Sequence, residues 1–194
     1  MHPPTEDGPT HLLYVADPMC SWCWGFAEVL ATLEGELRGD VQLTYVMGGL
    51  APDSEVPMDA TTKAYVQEAW HAVTARAGAR FEHAFWERCS PRRSTWPACR
   101  VVLAAGDRGR EAFRAIQHAY YLEARDPSDP TTLNQVAAEF GVTPEDIDSD
   151  ATRALLEADF ALRETLGIHG YPTLATWDGT QGQVLTHGWV DLDS

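Results

Sequence analysis

The chain has 194 residues, 44% hydrophobic and 22% charged, and its 14 Lys and Arg against 29 Asp and Glu leave a formal charge of −15. This is the composition of an ordinary soluble globular chain, long enough for one large domain or a domain with an insertion. So acidic a surface argues against nucleic acid and membrane surfaces as partners. No apolar run approaches the roughly 18–20 residues of a membrane helix. Residues 1–8 carry neither the basic region nor the apolar core of a secretory signal, so a cytoplasmic location is expected.

Residues 1–10 are polar, hold three prolines and read as a flexible lead-in. Residues 11–16, with Leu12, Leu13, Tyr14 and Val15 ahead of Asp17-Pro18, have the length and composition of a buried strand. Across residues 21–38, Phe26, Val29, Leu30, Leu33 and Leu37 recur at helical spacing, and Gly39 stands where a helix ends. Residues 41–47 form a β-branched and aromatic run closed by Gly48-Gly49. Strand, helix and strand in this order predict a βαβ unit with parallel strands and a right-handed crossover.

Pro52 and Pro57 mark a loop, and the pattern from there to Gly167 is helical. Val66, Trp70, Val73 and Ala77 form one stripe; Phe113, Ile116, Tyr120 and Tyr121 form another. Thr95 is a candidate cap with Pro97 in the first turn, and Thr132-x-x-Gln135 matches a capping box. Thr143-Pro144 starts a short helix, and Ser149 or Asp150 a longer one; the carboxylates of residues 145–150 suit two helix starts. Residues 171–177 and 183–187 flank a loop with Asp178-Gly179 and Gly182, which predicts a hairpin with a five-residue connection. The fold class expected is α/β: a discontinuous sheet-bearing domain over residues 11–55 and 150–194, with an all-helical insertion over residues 56–149.

Four cysteines are too few for a disulfide-stapled scaffold, but two stand as Cys20-Ser21-Trp22-Cys23 where the first strand meets its helix. Unpaired amides and the positive dipole end of a helix favour a thiolate at Cys20, the nucleophilic form in disulfide exchange. Cys23, one turn on, is placed to resolve a mixed disulfide and is expected to be more buried and less acidic. Trp22 offers a flat apolar surface for a substrate. A Cys-x-x-Cys can instead be half of a zinc site. Here the remaining ligands are hard to find: Cys89 and Cys99 stand ten apart and no His-x₃₋₅-His pair occurs. Gly170-Tyr171-Pro172-Thr173 opens the hairpin, where proline belongs at an edge or in a special turn and a cis bond is an option.

Taken together, Asp17-Pro18-Met19-Cys20-Ser21-Trp22-Cys23-Trp24-Gly25-Phe26, Gly48-Gly49, Trp96-Pro97-Ala98-Cys99-Arg100 and Gly170-Tyr171-Pro172-Thr173 resemble the DsbA-like family of thioredoxin-fold oxidoreductases, in its cytosolic branch of predicted protein-disulfide isomerases. The resemblance spans residues 11–189. It implies a thioredoxin fold interrupted by helices, with Cys20 as nucleophile, Cys23 as resolving thiol and Pro172 as a cis-proline facing them. Tyr171 would offer backbone groups to an extended peptide or to glutathione. Protein or small-molecule thiols and disulfides would be the partners, with no bound cofactor and no metal, and with glutathione or a partner thiol protein as redox co-substrate.

Two other functions stay open. One is a glutathione-dependent transferase or isomerase of the same architecture, of the kappa-class or 2-hydroxychromene-2-carboxylate isomerase type, for which Ser21 is also present. The other is a non-enzymatic binding or zinc-holding module. Accessory candidates are Cys99, favoured as a thiolate by its place in a first helical turn and a candidate neighbour of Cys20, and His169 as a proton shuttle; a solvated loop histidine and two unrelated buried thiols at Cys89 and Cys99 are the plainer expectations. Asp17 reads as a turn-former rather than a base.

Overall fold

The computed structural model describes residues 10–37 and 41–191. Residues 1–9 of the expected lead-in and the proposed terminator Gly39 lie outside them, whereas the lead-in's last residue, Thr10, is already part of the first strand. Strand β1, Thr10–Ala16, runs through the centre of the sheet; Leu13, Tyr14, Val15 and Ala16 are fully buried, as befits a strand covered on both faces. It pairs in parallel with β2, Val41–Met47, so the expected βαβ unit is present. On its other side β1 pairs antiparallel with β3, Thr173–Trp177, which pairs antiparallel with β4, Gly182–His187. The order is β2-β1-β3-β4. The hairpin connection is four residues, 178–181, because Gly182 already pairs with Trp177; a Cβ there would press on the Thr176 carbonyl and the Trp177 ring.

The single helix expected over residues 21–38 is two: α1, Ser21–Gly25, and α2, Ala27–Glu36, divided at Phe26. The Gly25 carbonyl accepts from the Trp189 indole at 3.0 Å, and a Cβ on Gly25 would overlap Val73 of the helix Ala60–Ala77. The break therefore arises from long-range packing that no local periodicity carries. Phe26 turns inward at the break, 5.9 Å from the Tyr14 ring, in an aromatic group completed by Tyr45 and Phe113.

Seven α-helices lie between β2 and β3 among the described residues: α3, Ala60–Ala77; α4, Phe85–Arg88; α5, Trp96–Ala104; α6, Gly109–Leu122; α7, Pro130–Ala138; α8, Pro144–Asp148; and α9, Asp150–Thr165. Helix α5 packs against α6, α8 and α9, α3 packs on α1, and α9 returns to β2. The capping box expected at Thr132 is not there. Helix α7 starts at Pro130, and the Asp129 carboxylate caps it by accepting from the Thr132 amide at 3.1 Å. Proline at the first position needs no donor, which makes Asp-Pro the better start. A reciprocal box does form between Thr143 and Asp146, and Ser149 caps α9. Thr95 precedes α5 without capping it, because its hydroxyl is engaged elsewhere. No helix of the described residues is long and apolar enough to cross a membrane.

Candidate active site around Cys20 and Cys23

Asp17-Pro18 ends β1, and the turn after it delivers Cys20 to the position just before α1. The Cys20 amide donates to the Asp17 carbonyl at 3.0 Å, and the Cys20 carbonyl accepts from Trp24 as the first bond of the helix. Across the sheet's end, the segment entering β3 faces it. The Tyr171–Pro172 bond is cis, and the Tyr171 carbonyl accepts from the Cys20 thiol at 3.7 Å. Cys20, Cys23, Tyr171 and Pro172 thus converge. Both cysteines of the pair are free thiols. Trp22 is half-buried beside them, and the exposed His169 lies on the approach to Gly170.

Cys20 is 6% exposed and Cys23 only 1%. Burial pushes the Cys23 thiol well above its ordinary value, and the adjacent Cys20 sulfur adds to the effect. Tyr14 lies beneath: its hydroxyl reaches the Cys23 carbonyl at 3.5 Å, and its own ionisation is strongly opposed by burial.

Asp17 does more than shape the turn. Its side chain is wholly buried, with Oδ1 accepting from the Met19 amide at 2.8 Å and Oδ2 from the Leu50 amide at 2.7 Å, the Thr95 hydroxyl at 2.6 Å and the Cys99 thiol at 3.6 Å. Burial raises this carboxyl above the usual carboxylate range, and these donors only partly hold it down. Cys99 therefore joins the dithiol's surroundings through Asp17. The expectation that helix position favours its thiolate is overturned: complete burial and the Asp17 charge push its thiol well up. Cys89 lies apart, its thiol on the Ala124 carbonyl at 3.4 Å, so the two do not make a second pair.

Gly48 and Gly49 complete the floor. A Cβ on Gly48 would overlap the Tyr171 ring, whose hydroxyl donates to the Gly48 carbonyl at 2.8 Å. Gly49 adopts φ +66° with Phe160 and Trp96 against it, a conformation and a clearance that only glycine meets. Sequence reasoning missed Arg163, which donates to the Tyr171 hydroxyl, and Asp159, which accepts from the Met47 amide at 2.6 Å. Both stand on the amphipathic α9, where one charged residue looks like another. The Gly48-Gly49 pair was their only signal, since it announced a close approach without naming the neighbour. Among the described residues no group of three or more His, Cys, Asp or Glu side chains is placed to hold a metal ion.

The chain matches the family model for the DSBA-like thioredoxin domain over residues 12–194, and it belongs to that family. Its fold is the thioredoxin-like DSBA fold with a helical insertion. Among solved structures it is similar to a putative protein disulfide isomerase from Nitrosomonas europaea, at 28% identity and TM-score 0.82 over 95% of this chain and 93% of that one. It is also similar to the cytosolic disulfide reductase DsbM from Pseudomonas aeruginosa, at 27% identity and TM-score 0.73 over 91% and 89% of the two chains. The structure of DsbM with GSH matches at 25% identity, TM-score 0.73 and the same coverage. No curated protein matches the chain.

Proposed function

We propose that this protein is a cytosolic thiol–disulfide oxidoreductase working through Cys20 and Cys23, with glutathione or a partner thiol protein as co-substrate. The observation that carries the reading is the meeting of the Cys20 sulfur, at the mouth of α1, with the Tyr171 carbonyl ahead of Pro172, while Cys23 waits one turn deeper. Family membership and the likeness to a cytosolic disulfide reductase solved with GSH support it.

The Cys20 thiolate attacks one sulfur of a substrate disulfide; a new S–S bond forms to Cys20 and the other half leaves as a thiolate. Cys23 loses its proton and attacks the Cys20 sulfur, closing a Cys20–Cys23 disulfide and expelling the second half. Two electrons pass from the dithiol to the substrate, and two thiols of glutathione return them by the reverse exchange. The high proton affinity of Cys23 keeps it protonated until the mixed disulfide has formed. Tyr171, Pro172 and Trp22 flank the attacked sulfur and hold the chain of the substrate beside it.

The test is a titration of the Cys20–Cys23 couple in glutathione redox buffers, with Cys20→Ser and Cys23→Ser alongside. A two-electron transition is expected in the wild type and none in Cys20→Ser, while Cys23→Ser accumulates a mixed disulfide with glutathione. A wild type without a transition, or a Cys23→Ser protein that turns over unimpaired, overturns the reading; the second result is that of a glutathione transferase.

A further inference from the structure

Among the described residues Arg163 forms no ion pair, in a chain of net charge −15. Its contacts among the described residues are unusual for an arginine on a helix surface. One guanidinium nitrogen donates to the Tyr171 hydroxyl, the guanidinium carbon lies 4.6 Å from the centre of the Phe160 ring, and Nε is buried with no partner. The neighbouring acid on the same helix, Asp159, faces the Met47 amide instead. A buried donor without an acceptor is rare in folded proteins and calls for a ligand or an ordered water.

The surroundings say where such a ligand would lie. Tyr171 links the guanidinium to the reacting sulfur: its hydroxyl takes the arginine's hydrogen bond, and its carbonyl takes that of the Cys20 thiol. Its ring is fixed by Gly48, so the separation between Arg163 and Cys20 is set by a rigid side chain. Phe160 and Trp96, with rings 5.1 Å apart and both half-buried, form an apolar wall on the Arg163 side, and the Trp96 indole is held by the Gly49 carbonyl at 3.3 Å. A guanidinium backed by an aromatic ring presents a planar fork suited to a carboxylate. The protein's overall field repels anions, so attraction for one at this place has to come from a local cation.

We infer that Arg163 receives a carboxylate of the exchanging thiol, and that the site is built for small carboxylate-bearing thiols and disulfides of the glutathione class. This rests on the oxidoreductase reading and adds the group that selects the partner. The substrate's sulfur meets Cys20 while its carboxylate spans Tyr171 to the guanidinium, so the contact contributes to binding and leaves the electron transfer as described.

The experiment compares the rate at which reduced protein is oxidised by glutathione disulfide, by its tetraethyl ester and by bis(2-hydroxyethyl) disulfide, in the wild type, Arg163→Gln and Arg163→Lys. Arg163→Gln is expected to lose about tenfold in kcat/KM toward glutathione disulfide, carried by KM, as suits one lost charge-assisted hydrogen bond. It should match the wild type on the two substrates that lack a carboxylate, and Arg163→Lys should recover part of the loss. An unchanged rate with glutathione disulfide, or an equal loss on all three substrates, overturns the inference; the equal loss would mean that Arg163 only shapes Tyr171. A wild type inert toward every disulfide overturns the oxidoreductase reading itself, and this site with it.

Discussion

Arg100 and Asp17 are both buried charges, and the two regions that hold them treat them in opposite ways. Arg100, in the helical region, donates to both Asp53 oxygens at 3.0 Å, to Asp148 at 3.1 Å and to the Ile147 carbonyl at 3.0 Å. Asp17, under the dithiol, meets only neutral donors: two amides, a hydroxyl and a thiol. The buried Arg100 with its counter-ions ties α5 to α8 and to the loop after β2. A buried ion with neutral partners is held in place without full compensation, so its proton affinity rises and its charge acts on the sulfurs beside it. The helical region uses its buried charge for architecture, and the dithiol region keeps its own close to buried thiols.

Breaking the first arrangement should have the largest effect. Arg100→Met removes four charge-assisted hydrogen bonds at once, leaves Asp53 and Asp148 to Arg153 alone and strips the Ile147 carbonyl of its side-chain partner. Both acids are half-exposed, so a loss of about 3 kcal/mol in urea unfolding is expected, at the low end for a broken buried pair, with dithiol chemistry unchanged. Asp17→Asn sharpens the other side. An amide cannot accept from all four donors, which costs about 2 kcal/mol. The loss of negative charge should also move the alkylation profiles of Cys23 and Cys99 to lower pH; unmoved profiles would show that the carboxylate acts only as a brace.

Asp159 tests whether this lack of compensation extends along the same end of the sheet. Burial pushes its carboxyl up to about 7. The fold therefore favours the protonated form, and the stability that it contributes is complete below about pH 4 and is lost as pH rises toward 7. Unfolding curves of Asp159→Asn should lack that decline, so the wild type and the variant diverge between those limits. The smallest effect belongs to Trp189→Phe, which removes the indole bond to the Gly25 carbonyl while keeping a ring under Arg76. About 1 kcal/mol is expected, together with faster hydrogen exchange across α1.

The legible parts of the site were those with local grammar. Cys-x-x-Cys after a strand and Gly-Tyr-Pro-Thr before one are short motifs at element junctions, and the structure joins them. The strands were readable because β1 and β2 are buried enough to be nearly all apolar. The helix break at Phe26 was not readable, since the apolar spacing continues across it and the cause, Trp189 with Val73, lies far along the chain. Thr95 had the chemistry of a cap, yet its hydroxyl turned to a carboxylate 78 positions earlier. For Arg163 the only hint was the close approach implied by Gly48-Gly49; on α9 it is one charge among many until Tyr171 folds against it.

From the amino-acid order alone come the α/β class, the parallel βαβ start, the helical insertion and the placing of the Cys-x-x-Cys pair, because each depends on spacing within a few residues, which secondary structure converts directly into a face or a junction. Tertiary structure alone decided that Asp17 is a buried, uncompensated carboxylate shared with Cys99, that α1 ends at Gly25, and that the Arg163 guanidinium stands one tyrosine away from Cys20. Each of these depends on what burial and proximity do to a charge, and both are properties of the folded chain.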